Sequence, residues 1–253
     1  MTRKSDLFDE SAEGEESESL RFSAPRETWI EGFDARAADG SGGGYHSLFC
    51  GEIWKADPQD GARLSRAVRS VVEQYRRRLG VDADASVLIA GIGNEAASAD
   101  ALGPRTAARI LTSRPGEGFS PVSSVRTGIA GETGIETHRH IRALARETGA
   151  GLVVTVDSLT ARSGERLGTV VQITDCGIIP GSALGHASGE ISRRTMPCPV
   201  LSLGVPTVIR SDVLTGEDTE KPMFVTRADT DAMVTCYARL LAAALNAAFA
   251  LRG

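Results

Sequence analysis

Asp157 directly follows the apolar run Leu152 to Val156 (LVVTV), and Asp100 lies in the loop SADALGP after the apolar run Ser86 to Ile92 (SVLIAGI). Where both runs are strands of an open parallel sheet, each carboxylate stands at a strand's carboxyl end, the place where such sheets gather ligands. Two carboxylates that meet there resist simultaneous ionisation. One can take a proton from water while its protonated partner gives one to a leaving amine, which is the chemistry of peptide hydrolysis. Position alone leaves a second reading open, in which each aspartate merely caps a helix or a turn.

The other candidates are weaker. Gly91-Ile-Gly93-Asn94 lacks the third glycine of a dinucleotide fingerprint and reads as a tight turn that Asn94 holds. The chain has no GxxxxGK[ST], GxSxG or HExxH, which argues against P-loop, serine-hydrolase and zincin chemistry. His138 and His140 are two apart on an expected helix, so they face different ways and read as surface residues rather than as metal ligands. Arg162, in SLTARSGER, is suited to neutralising a carboxylate or binding a substrate carbonyl, and equally to a surface ion pair. Ser182 and His186 share a Gly-rich loop, Gly181 to His186, placed to line the same mouth or simply to be polar.

These residues need a frame. Tyr45 to Trp54 alternates as a strand, and Asp57-Pro58 is an N-cap followed by a first-turn proline, so a helix starts there. Leu64, Ala67, Val68, Val71, Val72, Tyr75 and Leu79 recur at helical spacing, with the arginines between them on a solvated face. Further elements are expected as a strand at Ser86 to Ile92 and a helix at Ala101 to Ser113. A capping box at Thr133 to Glu136 should open a helix that Gly149 ends. Strands at Leu152 to Val156, Thr169 to Thr174 and Pro199 to Leu203, then a closing helix Asp229 to Leu251, complete an α/β alternation that implies a sandwich with a largely parallel sheet.

Composition bounds the function. The 253 residues are 41% hydrophobic and 24% charged, enough for a core and too apolar for a wholly disordered chain. Lys and Arg number 28 against 33 Asp and Glu, a net charge of −5 that provides no global positive field for nucleic acid. Four dispersed cysteines, Cys50, Cys176, Cys198 and Cys236, suit buried thiols in a reducing compartment. The N-terminus turns acidic where a signal peptide would be apolar, and no run is apolar throughout for a membrane span, so a cytosolic protein without membrane contact is expected. Residues 1–44 are acidic and Gly/Ser-rich and read as a mostly mobile arm before a single domain over 45–253.

Five segments, GIGNEAASADALGPR, GIAGETGIET, VVTVDSLTARSGER, VQITDCGIIPGSALG and LSLGVPTVI, resemble the germination protease family of spore-forming bacteria in order and spacing, from about Val87 to Arg210. The resemblance implies a three-layer α/β sandwich similar to hydrogenase maturation proteases. It implies an endopeptidase of unusual aspartic type, without cofactor, that degrades small acid-soluble spore proteins in the spore core, as a homo-oligomer. The family's catalytic aspartates match Asp100 and Asp157. Hydrogenase maturation proteases carry nickel-binding acidic residues at the two corresponding strand ends, so a divalent metal at Asp100 and Asp157 is one alternative and an inactive peptide-binding paralogue another. This chain has GIIPGSALGH where the family has GIHPGSGVGN, so Ile179 replaces a histidine and His186 an asparagine. Ser5-Asp6-Leu7 is similar to the family's zymogen junction, which marks Asp6 and Leu7 as an expected processing site.

Overall fold

The computed structural model describes residues 19–20, 31–36, 43–113, 121–182, 189–216 and 223–250; Asp6, Leu7 and His186 lie outside them. In chain order the elements are β1 (Ser19–Leu20), β2 (Glu31–Arg36), β3 (Gly44–Phe49), α1 (Pro58–Arg78), β4 (Val87–Ile92), α2 (Leu102–Ala107), β5 (Val122–Gly128), α3 (Ala130–Thr133) and α4 (Thr137–Glu147). Then come β6 (Leu152–Ala161), β7 (Val170–Thr174), β8 (Val200–Arg210), α5 (Ser211–Thr215), β9 (Phe224–Val225) and α6 (Thr230–Leu245). Among the described residues the strands form one sheet in the order β1-β2-β3-β7-β8-β6-β4-β5, with β9 paired to β8. The run β8-β6-β4-β5 is parallel. The flank β1-β2-β3-β7 joins it through antiparallel ladders.

Helices α1, α2 and α6 bury one face of the sheet, and α4 with the stretch around Ile178, Ile191 and Met196 buries the other. The result is a three-layer α/β sandwich. Its central strands are buried on both faces, as the apolar run of β4 requires, and β7 is buried throughout although it carries Gln172 and Thr174. In α1 the Asp57 carboxylate accepts from the Gln59 amide at 2.8 Å, Pro58 fills the first turn, and Leu64, Val68, Val71, Val72 and Tyr75 face the sheet. The stretch from α6 to Phe249 is apolar enough on average to cross a membrane. Met233, Val234, Tyr237, Leu241, Leu245 and Phe249 are nevertheless buried in the core, as in a helix of a packed domain.

Several elements differ from the sequence expectation. The helix expected at Ala101 to Ser113 stops at Ala107, because Asn246 bonds the chain beyond it: its Oδ1 accepts from Leu111 N at 2.8 Å and its Nδ2 donates to Arg109 O at 3.0 Å. The capping box at Thr133 does not form. Thr133 Oγ1 instead bonds the Ile129 and Ile135 carbonyls around a turn closed by Gly134 at φ +69°, and α4 starts afterwards at Thr137. Strands β6 and β8 run well past Val156 and Leu203, so Asp157 lies within β6 rather than after it. Strands β1 and β2 also extend the sheet, although no periodicity in that arm announces them.

Candidate active site

Strand β4 leads into Gly93, whose φ of +121° is a backbone conformation that residues with a side chain rarely adopt. A short 3-10 turn, Ser98–Asp100, then delivers Asp100 to α2. Asp100 Oδ2 accepts from the Asn94 amide at 2.7 Å, while Asn94 Oδ1 accepts from Ala96 N at 2.7 Å, so the Asn94 side chain shapes the loop and its backbone holds the carboxylate. Gly103 presses the first turn of α2 against the strands. A Cβ there would overlap the backbone of Ile92 in β4 and the carbonyl of Val156 in β6. Glycine at this position therefore brings the Asp100 loop down onto the ends of both strands. From outside, Arg105 and Ser98 both bond Asp231 Oδ1, at 2.7 and 3.1 Å, and Arg105 reaches Thr235 Oγ1 at 2.8 Å.

Asp157 follows Val156, which pairs with Leu203 of β8, and itself pairs with Gly204. Its side chain therefore rises beside a residue that has none. It is 8% exposed, and its Oδ1 accepts from the Ser158 amide at 2.8 Å. Burial, reinforced by the charge of nearby Asp100, pushes the Asp157 carboxyl up to about 8. Burial also raises Asp100, to about 6, against the opposing pull of the Asn94 amide, and Glu132 in α3 adds a further upward push. The pair therefore resists simultaneous ionisation, with the stronger upward push on Asp157.

The structure thus brings Asn94, Asp100 and Asp157 together. Arg162 follows the last residue of β6, and at about 3.3 Å per residue the strand carries it roughly 16 Å beyond Asp157. Ser182 sits in a turn whose amide donates to Ile179 O at 3.2 Å, and it precedes the undescribed stretch that contains His186. Because β7 is antiparallel to β8, this loop leaves Thr174 at the amino-terminal edge of the parallel strands, away from the aspartates. The chain then returns. Gly189 N donates to His138 Nδ1 at 3.1 Å, in the first turn of α4. His138 and His140 are both partly buried rather than on the surface, and among the described residues the shielded Nδ1 of His140 meets no hydrogen-bond partner.

Of the cysteines only Cys50 is fully buried, its thiol 3.0 Å from the Tyr237 hydroxyl and pushed by burial up to about 12; the other three are partly exposed. Among the described residues no three His, Cys, Asp or Glu side chains form a metal-holding group.

Sequence reasoning missed three contributors. Glu132 sits in GETGIET, where nothing in the residue pattern tied it to Asp100. Gly103 was visible in DALGP, but only the packing of α2 shows why it must be glycine. Ser158 supplies the amide that Asp157 accepts, a contact any residue other than proline could make, so its type carried no signal.

Among curated proteins, the germination protease of Halalkalibacterium halodurans is 36% identical over 174 residues, 65% of this chain and 47% of that protein. The germination protease of Bacillus cereus is 36% identical over 196 residues, 73% of this chain and 53% of that protein. The chain thus spans about half the length of the curated relatives it matches. Among solved structures, the [NiFe] hydrogenase maturation protease HycI from Thermococcus kodakarensis aligns over 70% of this chain and 99% of that chain, with 19% identity and a TM-score of 0.43. The family model described as germination protease matches residues 16–223, which include Asn94, Asp100 and Asp157, and the chain belongs to the germination protease family.

Proposed function

We propose that this chain is an endopeptidase that hydrolyses small acid-soluble spore proteins at germination, with Asp100 as general base and Asp157 as general acid. The observation that carries this reading is the unequal burial of the two carboxyls: burial and the charge of Asp100 push Asp157 up to about 8, while Asp100, also raised by burial but held by the Asn94 amide, is pushed only to about 6. Ionised Asp100 takes a proton from water, and the water oxygen adds to the scissile carbonyl carbon. As the tetrahedral intermediate collapses, the carbon–nitrogen bond breaks and Asp157 gives its proton to the departing nitrogen. The spent pair then exchanges one proton with solvent and regains its starting state. The substrate class is the one the sequence resemblance implies, membership in the germination protease family supports it, and an unfolded protein enters a cleft without an unfolding cost.

Asp100→Asn and Asp157→Asn remove the ionisable groups at constant volume. With purified small acid-soluble spore protein as substrate, each variant is expected to fold, by circular dichroism, and to lose about 10²–10⁴-fold in turnover. Turnover near the wild-type rate in either folded variant refutes the assignment.

A further inference from the structure

We propose that Thr207 is a positioning residue for Asp100: its buried hydroxyl, aimed by a break in the β6/β8 ladder, holds the carbonyl of Ala99 and so fixes where the next residue's carboxylate stands. The proposal rests on the reading of Asp100 as the general base.

The ladder between β6 and β8 shifts at one point. Leu159 pairs with Pro206 and Thr160 with Val208, so Thr207 is the extra residue of a bulge, a feature that re-aims a side chain. Proline causes the break, since it has no amide to give to the ladder, and its carbonyl is taken by Gly168 N at 2.7 Å. Thr207 is fully buried, and its Oγ1 donates to Ala99 O at 2.6 Å. Its own carbonyl accepts from Thr226 Oγ1 at 2.7 Å, and that hydroxyl lies 2.6 Å from Thr230 Oγ1 in the first turn of α6. The threonine is thus anchored on its backbone and engaged at its hydroxyl.

Ala99 and Asp100 share a peptide plane, so the bond to Ala99 O sets the orientation of that plane. Gly93 closes on Asp100 from the other side, where a Cβ would come within 2.9 Å of Oδ1. Asp100 is held between these two supports. The contact of Ser98 with Asp231 is of another kind, because Asp231 is 68% exposed and water can replace it. The VPT segment of β8 was recognisable in the sequence as part of a motif, and the bulge gives that motif a function at the site.

The test compares Thr207→Val, which keeps the shape and deletes the hydroxyl, with Thr207→Ser, which keeps the hydroxyl, in wild-type and Asp100→Asn backgrounds. Cleavage of small acid-soluble spore protein is measured well below each variant's Tm. Thr207→Val is expected to lose about 10–100-fold in kcat with KM within about twofold, since a misplacement near 1 Å has effects of that order. Thr207→Ser should restore kcat. In the Asp100→Asn background Thr207→Val should cost nothing further, because it acts through the missing carboxylate. A folded Thr207→Val enzyme with wild-type kcat, or one with the same loss in both backgrounds, overturns the proposal. Full activity of Asp100→Asn alone overturns instead the reading on which it rests. Should Thr207→Val fail to fold, Thr226→Val frees the Thr207 carbonyl from an exposed position; it is expected to lower kcat severalfold at constant KM, and unchanged kcat overturns the proposal.

Discussion

A Cβ placed on Gly93 would stand 2.9 Å from Oδ1 of Asp100 and overlap that residue's own carbonyl oxygen. The absence of a side chain at Gly93 is therefore what lets Asp100 sit over the end of β4. Two penalties meet in Gly93→Ala: a φ of +121° and a collision with backbone that cannot swing aside. The substitution is expected to destabilise the fold by about 1–3 kcal/mol, a fall in Tm of roughly 3–10 °C, and to lower turnover more than tenfold at temperatures where the variant is folded. Calorimetry and cleavage assays on the same preparation check both parts, and an unchanged kcat would show that Asp100 tolerates displacement.

Activity should have a bell-shaped dependence on pH. The productive state needs Asp100 ionised and Asp157 protonated, and the pair titrates as a unit with apparent values of about 6 and about 8. The kcat/KM ratio should fall tenfold per unit below the first value and above the second. Replacing Glu132 with Gln removes one upward push on Asp100, so the acidic limb should move to lower pH while the alkaline limb stays. A profile measured with a short, uncharged peptide substrate separates this effect from titration of the substrate. A flat profile between pH 5 and 9 would contradict the acid–base pair.

The two aspartates were legible in the sequence because a buried parallel strand and the loop after it have strong local signatures, and the order of the motifs added to them. Their setting was less so. The continuation of β6 through Asp157 depends on pairing with β8, which no local pattern in TVDSLTA records. The early end of α2 depends on Asn246, more than a hundred residues away. The direction of β7 was hidden for a related reason: an apolar run reads the same whether its neighbours are parallel or antiparallel, yet the direction decides at which end of the sheet the loop to Ser182 begins. Thr207 was invisible as a contributor because its contact with Ala99 exists only where the ladder breaks at Pro206.

The surface latch of the Asp100 loop should matter little. Arg105 and Ser98 meet Asp231 on a side chain that is 68% exposed, and exposed ion pairs contribute little to stability. Asp231→Asn is expected to leave Tm nearly unchanged and kcat within about twofold. The small effect should shrink further in 1 M salt, which screens exposed charges. A large loss of kcat at unchanged Tm would show instead that the loop relies on its outer anchor rather than on Gly93 and Thr207.

Asp157 should cost stability, and in a pH-dependent way. Its carboxyl is raised by burial to about 8, whereas in the unfolded chain it titrates near 4. Between those values the native protein binds a proton that the unfolded chain has released, so the Asp157 contribution to native stability is greatest below about pH 4 and declines as the pH rises toward 8. Asp100, raised to about 6, contributes with the same sign over the lower part of that window. Each bound proton contributes a slope of up to about 1.4 kcal/mol per pH unit. Asp157→Asn abolishes the Asp157 contribution, while an amide oxygen remains for the Ser158 N–H to bond. The stability of this variant relative to the wild type should therefore climb by about 1 kcal/mol or more between pH 5 and pH 8, in the same variant that loses cleavage. Urea unfolding of both proteins at pH 5, 6, 7 and 8 measures the difference directly. A difference that stays constant across those four values would mean that Asp157 is ionised in the native protein, which would remove it as the proton donor.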